Sequence, residues 1–152
     1  MDESKPLVGV SLLLHGDQLD PDQVTIKLGV NASKSRHKGE TWRTITNNEV
    51  TPKTGFWSLA AKKESMELHD QISSLRQQLS SATCSPLCIP GVENAEISVF
   101  IALGNNERGG GDYQCKLTAA DIAWIDGLEV PVTFTLTFVP TLKTEYPGTD
   151  NG

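Results

Sequence analysis

The feature that most constrains this chain is a strict alternation of apolar residues and threonines near its C-terminal end. Side chains that alternate with a period of two lie on opposite faces of a β-strand. We therefore expect a strand from Pro131 to Val139, in a sheet with one buried and one more polar face. The alternating residues are Val132, Phe134, Leu136 and Phe138 on one side, and Thr133, Thr135 and Thr137 on the other.

Earlier stretches predict further strands of the same kind. Residues 94–103 and residues 8–15 each place a row of apolar side chains on one face. Gly55–Ala60 is another predicted strand, and a short strand is expected over residues 113–117. The aligned apolar residues are Ala95, Ile97, Val99, Ile101 and Leu103 in one stretch, and Val8, Val10, Leu12 and Leu14 in the other.

Three helices are predicted between these strands. The first begins after Asp20, a good N-cap followed by proline, and ends at Gly29. The second runs from about Ser65 to Ala82, where apolar residues recur in steps of three and four. The third is capped by Thr118 and contains Ile122, Trp124 and Ile125.

An internal repeat connects two of these helices. Residues 19–30 align without gaps on residues 117–128, and each segment follows a predicted strand. Two such halves around the long helix predict an α+β fold, with an antiparallel sheet and helices packed on one face. The arrangement is expected to be ferredoxin-like or a duplicated strand–helix–strand unit. We expect a single domain over residues 1–143 and a flexible tail over 144–152.

Composition excludes several classes of function. The net charge of -6 and the pI near 5.0 argue against general binding to nucleic acid or anionic membranes, which needs a cationic surface. No apolar stretch approaches the ~20 residues that span a bilayer. The charged start does not fit a signal peptide, and three cysteines do not form a disulfide framework. These features predict a cytoplasmic protein.

A basic cluster in a polar loop, residues 31–53, is the leading candidate for a binding site. The predicted binding residues are Lys34, Arg36, His37, Lys38 and Trp42. Arginine and lysine can hold a carboxylate or phosphate, Gly39 allows close backbone approach, and tryptophan is enriched in binding hot spots. A solvated loop whose charges only aid solubility accounts for the same pattern.

No pattern typical of catalysis or of metal binding is found. Cys84 and Cys88 lack the further ligands that a zinc site needs, and no serine or cysteine sits in a nucleophile-elbow context. The glycine-rich stretch 104–111 lacks the ending of a phosphate loop. We therefore expect no catalytic residue, no metal and no cofactor.

The chain resembles a family of uncharacterised bacterial proteins, the domain of unknown function 4279 (DUF4279) family. The similarity lies in the opening strand and the helix at Asp20-Pro21, in residues 28–40, in Gly55-Phe56-Trp57, in Leu117-Thr118 and in the closing strand. It spans most of residues 8 to 139. The resemblance implies a bacterial source and an α+β fold, and it supplies no established reaction or cofactor.

Two functions remain open. The first is a non-enzymatic protein-binding module, with an immunity-like, toxin-neutralising protein as one concrete form and a basic protein as its partner. The second is a sensor or enzyme that binds a small molecule or anion through the loop from Lys34 to Trp42. The chain is expected to be a monomer or a homodimer.

Overall fold

The computed structural model describes residues 6–62, 67–104 and 113–139 of the chain. The described helices are α1 (Pro21–Leu28), α2 (Leu68–Gln78) and α3 (Ala119–Leu128), with a 3-10 turn at Pro86–Cys88. The strands are β1 (Leu7–Gly16), β2 (Lys34–Arg36), β3 (Trp42–Arg43), β4 (Glu49–Val50), β5 (Gly55–Ala60), β6 (Asn94–Gly104) and β7 (Val132–Val139). These elements confirm the predicted α+β class. None of the helices in the described ranges is long and apolar enough to cross a membrane.

Five strands form the main sheet in the order β2-β5-β1-β6-β7, and β3 and β4 form a separate two-stranded sheet. The pairings are antiparallel except that β7 runs parallel to β6. The sheet is therefore mixed rather than antiparallel throughout, because the crossover through α3 returns the chain to the start of β6 before β7 begins. The ferredoxin-like arrangement is not confirmed.

The two echoing segments have related but unequal geometries. β6, α3 and β7 form a unit in which the two strands are adjacent and parallel. β1, α1 and β2 form a similar unit, but β5 lies between the two strands and is antiparallel to both. In the β1–α1–β2 unit, β5 is thus inserted between the two strands, and the sequence repeat alone does not reveal this insertion.

The hydrophobic core lies on one face of the main sheet. Cross-strand partners such as Leu12, Leu59 and Ile97 share that face and are at most 2% exposed. All three helices pack their apolar stripes into the same cluster, so the prediction of helices on one face is confirmed. The core residues contributed by the helices are Val24, Leu28, Leu68, Ile72, Leu75 and Ile125.

The helix ends follow the predicted chemistry. The Asp20 side chain accepts a hydrogen bond from the Asp22 N–H at 3.0 Å, and Gly29 ends α1 in the left-handed region at φ 72°. Thr118 caps α3 through a reciprocal capping box with Asp121. The helix predicted from about Ser65 to Ala82 is observed as α2, which ends four residues earlier than predicted, at Gln78; Ser65 itself lies outside the described residues.

Two local predictions need correction, and others concern residues outside the described ranges. Residues 113–118 contain no strand. The polar segment 31–53, expected to be a loop, contains three short strands, because β2 pairs with β5 and β3 pairs with β4, and a polar sequence does not indicate such backbone partners. Most of the glycine-rich stretch 104–111 and the whole predicted tail, 144–152, lie outside the described residues.

Candidate functional site

The basic loop is built on β2, the short strand at one edge of the main sheet. Arg36 pairs with Phe56 of β5, on the face opposite the helices. Its guanidinium lies over the ring of Trp42, 4.6 Å from the centroid, and Nη1 donates to the Ser35 carbonyl at 2.8 Å. The buried Nε of Arg36 has no hydrogen-bond partner in the described part of the chain. Arg36 and Trp42 are thus brought together, and Lys34 lies exposed on the same strand.

The other two predicted binding residues, His37 and Lys38, contact carboxylates. Lys38 Nζ lies 2.6 Å from Asp17 Oδ1, in the turn between β1 and α1. His37 Nε2 lies 3.7 Å from Asp20 Oδ1, and its backbone N–H donates to Glu40 Oε1 at 2.9 Å. Hydrogen bonding to Lys38 lowers the pKa of Asp17, and the His37 backbone N–H lowers the pKa of Glu40. The nearby carboxylates reduce the positive potential that the loop would otherwise present to an anion.

One group of possible metal ligands adjoins the loop within the described ranges. Asp20, Asp22 and His37 can each offer a ligand atom, and these atoms lie within 4.8 Å of one another. The Asp20 carboxylate already caps α1 through the Asp22 N–H. The cluster is solvated at the protein surface, where acidic groups commonly gather without binding an ion.

A histidine–aspartate pair lies between α2 and α3. His69 Nδ1, on α2, lies 2.7 Å from Asp121 Oδ2, on α3. The Asp121 carboxylate is buried, at 3% side-chain exposure, and also accepts the Thr118 backbone N–H at 2.9 Å. Burial tends to raise the pKa of Asp121, but the hydrogen bonds from Thr118 and His69 together lower it. The hydrogen bond to Asp121 raises the pKa of His69.

A cavity of about 800 Å³ opens beside this pair. It lies between the start of α2 and the segment that leads into α3, and its polar walls include His69, Tyr113 and Lys116. Burial raises the pKa of the Tyr113 hydroxyl. Sequence reasoning missed this location because the two residues of the pair are 52 positions apart. The capping box that holds Asp121 in place is the one local pattern that could have pointed to it.

The third notable surface is β7 at the opposite edge of the sheet from β2. In the described chain, β7 pairs on one side only, with β6. Parallel pairing aligns Phe134 with Val99 and Leu136 with Ile101, so the apolar row of β7 continues the helix-covered face. Phe134, Leu136 and Phe138 are nevertheless 45%, 52% and 74% exposed. The predicted buried face is therefore largely open on this strand, because it lies at the sheet edge.

Comparisons with known proteins give a family and no function. A search among curated proteins and a search among solved structures each returned no match. The profile described as "Domain of unknown function (DUF4279)" matches residues 5–138, nearly the whole chain. The chain therefore belongs to the DUF4279 family.

Proposed function

We propose that this chain is a non-enzymatic protein-binding module and that β7 is the strand through which it binds. The observation that carries the proposal is the character of this edge. Eight residues form a strand that contains no charged residue, and its three large apolar side chains are about half exposed or more. Natural sheet edges are usually protected by charges, prolines, bulges or short length. Within the described residues β7 has no charge, no proline and eight residues of length, and such an edge favours recognition of a protein.

The mode of binding follows from the backbone of the strand. An extended partner segment can add to a free sheet edge, so that main-chain hydrogen bonds supply affinity and side-chain contacts supply specificity. The apolar row of β7 is continuous with the core face, which lets a partner side chain pack against Phe134 and Leu136. Apolar patches of roughly 300–600 Å² on monomers are often functional.

Photo-crosslinking tests the proposal even while the partner is unidentified. A p-benzoylphenylalanine residue in place of Phe138, 74% exposed on β7, is expected to give a discrete adduct in extracts of the source organism. Ile45 is the matched control, because it is an apolar residue with 103% exposure outside β7. A defined adduct from position 138 and none from position 45 supports the proposal. Equal or absent adducts contradict it.

A toxin-neutralising protein is the more specific form of this function. The net charge of -6 supports it, because an acidic inhibitor can be steered towards a basic enzyme. β7 itself is uncharged, so a basic toxin must also contact acidic surface elsewhere on the chain. The expected complex weakens as salt rises, since screening shortens the range of this attraction. Binding to a basic partner that is insensitive to salt would argue against this form.

The alternative function, binding of a small molecule or anion, is less well supported at the loop from Lys34 to Trp42. His37 and Lys38 contact carboxylates, and Arg36 stacks on Trp42. The cavity beside His69 has a volume typical of ligand sites, which are roughly 300–1,000 Å³. A thermal-shift screen distinguishes the two locations. A ligand whose stabilisation is lost in Arg36→Ala acts at the loop, and one lost only in His69→Gln acts at the cavity.

A further inference from the structure

We infer that the partner of β7 is a second copy of this chain, paired with it strand to strand. The inference rests on the proposed function, because it identifies the occupant of the same edge. In this dimer, two copies of β7 run antiparallel about a two-fold axis, and the two five-stranded sheets become continuous.

The residue pattern of β7 is self-complementary. A two-fold axis along the sheet normal keeps the helix-covered face on the same side in both copies. Even-numbered residues then lie opposite even-numbered residues, and odd opposite odd. Apolar residues therefore meet apolar residues, and threonines meet threonines. Thr–Thr pairs and aromatic–aliphatic pairs across antiparallel strands are both favourable. Every register that preserves the face satisfies this pattern.

The absence of charge on β7 favours a second copy over a charged partner. In an antiparallel two-fold contact only the residues at the axis lie near their own equivalents, so a charged residue at the centre of the strand would meet a like charge. Residues 132–139 include no Asp, Glu, Lys or Arg. The same strand offers a basic or acidic partner no charge to recognise. A second copy can therefore pair with β7 through backbone hydrogen bonds and apolar contacts alone, without a charged group from a different protein.

The exposed apolar area is sufficient for a modest interface. Buried aromatic side chains cover about 150–250 Å² each. Exposures of 45%, 52% and 74% for Phe134, Leu136 and Phe138 then leave on the order of 300 Å² open in each copy. Two copies together bring on the order of 600 Å² of apolar side chain, besides the backbone of both strands. Stable interfaces start near ~1,200 Å², so we expect a dimer that dissociates on dilution.

Salt provides a qualitative signature of this dimer. Each copy carries a net charge of -6, so two copies repel each other at long range. Added salt screens this repulsion. The homodimer is therefore expected to strengthen or stay constant as salt rises, which is opposite to the behaviour of a complex with a basic toxin.

Sedimentation velocity over a wide range of concentration tests the inference with the full chain. The wild type is expected to shift from monomer to dimer, and Leu136→Lys is expected to weaken association at least tenfold. Phe134→Lys is the second β7 variant, and Ile45→Lys is the control, because Ile45 is exposed in the segment between β3 and β4. Circular dichroism selects the β7 variants that remain folded.

The outcomes separate this inference from the proposed function. Dimerisation that is lost in a folded β7 variant and retained in Ile45→Lys supports the second copy. A dimer that both β7 variants retain overturns the inference, since the contact then lies elsewhere. A monomer at all concentrations also overturns it. In that case a crosslink from position 138 to another protein leaves the proposed function standing, and no crosslink removes both.

Discussion

The two edges of the main sheet differ in length, in charge and in exposed apolar side chains. β2 has three residues, two of them charged, and Trp42 covers the Arg36 side chain. β7 has eight residues, none of them charged, and an exposed apolar row. A short, charged edge resists addition of another strand, whereas a long, uncharged one invites it. Within the described residues β2 is thus protected and β7 is open, and the proposed role of β7 rests on this contrast.

In the described chain, part of β1 has no strand on its β5 side, and a side chain bonds to its backbone there instead. The loss of these side-chain hydrogen bonds should have the largest effect on stability. β5 ends at Ala60, opposite Ser11, and beyond that point the side-chain amide of Gln71, on α2, bonds to the backbone of β1 in place of a strand. Gln71 Oε1 accepts the Val10 N–H at 3.0 Å, and Nε2 donates to the Val8 carbonyl at 2.7 Å. Gln71→Leu leaves both backbone groups buried and unpaired, at a cost of about 1–3 kcal/mol each.

We therefore expect Gln71→Leu to lower the free energy of unfolding by about 2–4 kcal/mol, after the apolar side chain recovers part of the loss. Urea denaturation measures this change. Gln77→Leu is the matched control, because Gln77 is exposed on the same helix. A loss no larger than that of the control would mean that water satisfies the edge of β1 and that the amide is dispensable.

Changing the charge on each sheet edge should have the next largest effect, and that effect is on association. Thr135→Lys adds a charge to β7, and Lys34→Thr removes one from β2; both side chains are exposed. We expect the first change to weaken association at least tenfold, which corresponds to about 1.4 kcal/mol. The second should create no new association, because three residues offer few backbone hydrogen bonds. Sedimentation velocity measures both, and association gained by Lys34→Thr would show that charge alone protects β2.

The stacking of Arg36 on Trp42 should contribute less. Arg36→Met keeps an apolar stem against the ring and removes the cation. We expect a loss of about 0.5–1 kcal/mol in the free energy of unfolding, the usual size of a solvent-accessible cation–π contact. Lys34→Met serves as the control in urea denaturation, since Lys34 lies exposed on the same strand. Equal losses in the two variants would exclude a specific role for the stacking.

The smallest expected effect on stability comes from the pair of His69, on α2, and Asp121, on α3, the helix before β7. The pKa of His69 is raised above its ordinary 6.5, chiefly by the hydrogen bond to Asp121. Protonated His69 therefore stabilises the folded state, fully below pH 6.5 and decreasingly as the pH rises through the raised pKa. The stability difference between wild type and His69→Gln should therefore shrink in the window above pH 6.5, as the pH rises through the raised pKa of His69. A constant difference would show that the pair does not titrate in this window.

Sequence patterns predicted most of the regular structure because local chemistry decides it. The caps at Asp20, Gly29 and Thr118, and the alternating rows of β1 and β6, all act within a few residues. The direction of β7 was not predictable in the same way. Alternation reports which residues share a face, but it does not report whether a strand is central or at an edge, or which direction its neighbour runs.

The candidate sites show the same limit. The basic cluster was visible as a run of residues, but its carboxylate partners, Asp17 and Asp20, come from a separate turn. Likewise, His69 and Asp121 meet only because α2 and α3 pack against each other. Long-range contacts thus decide whether a charged group is free to bind a ligand. The predicted role of Lys34, Arg36, His37, Lys38 and Trp42 in binding stays a prediction.

Hydrogen–deuterium exchange at low and high protein concentration compares the two sheet edges within one experiment. We expect peptides covering residues 132–139 to gain protection as concentration rises, while peptides covering residues 34–36 do not change. The matching monomer and dimer fractions follow from sedimentation of the same samples. Exchange in β7 that stays the same while dimer accumulates, or protection that appears at β2 instead, would contradict the assignment of β7 as the binding edge.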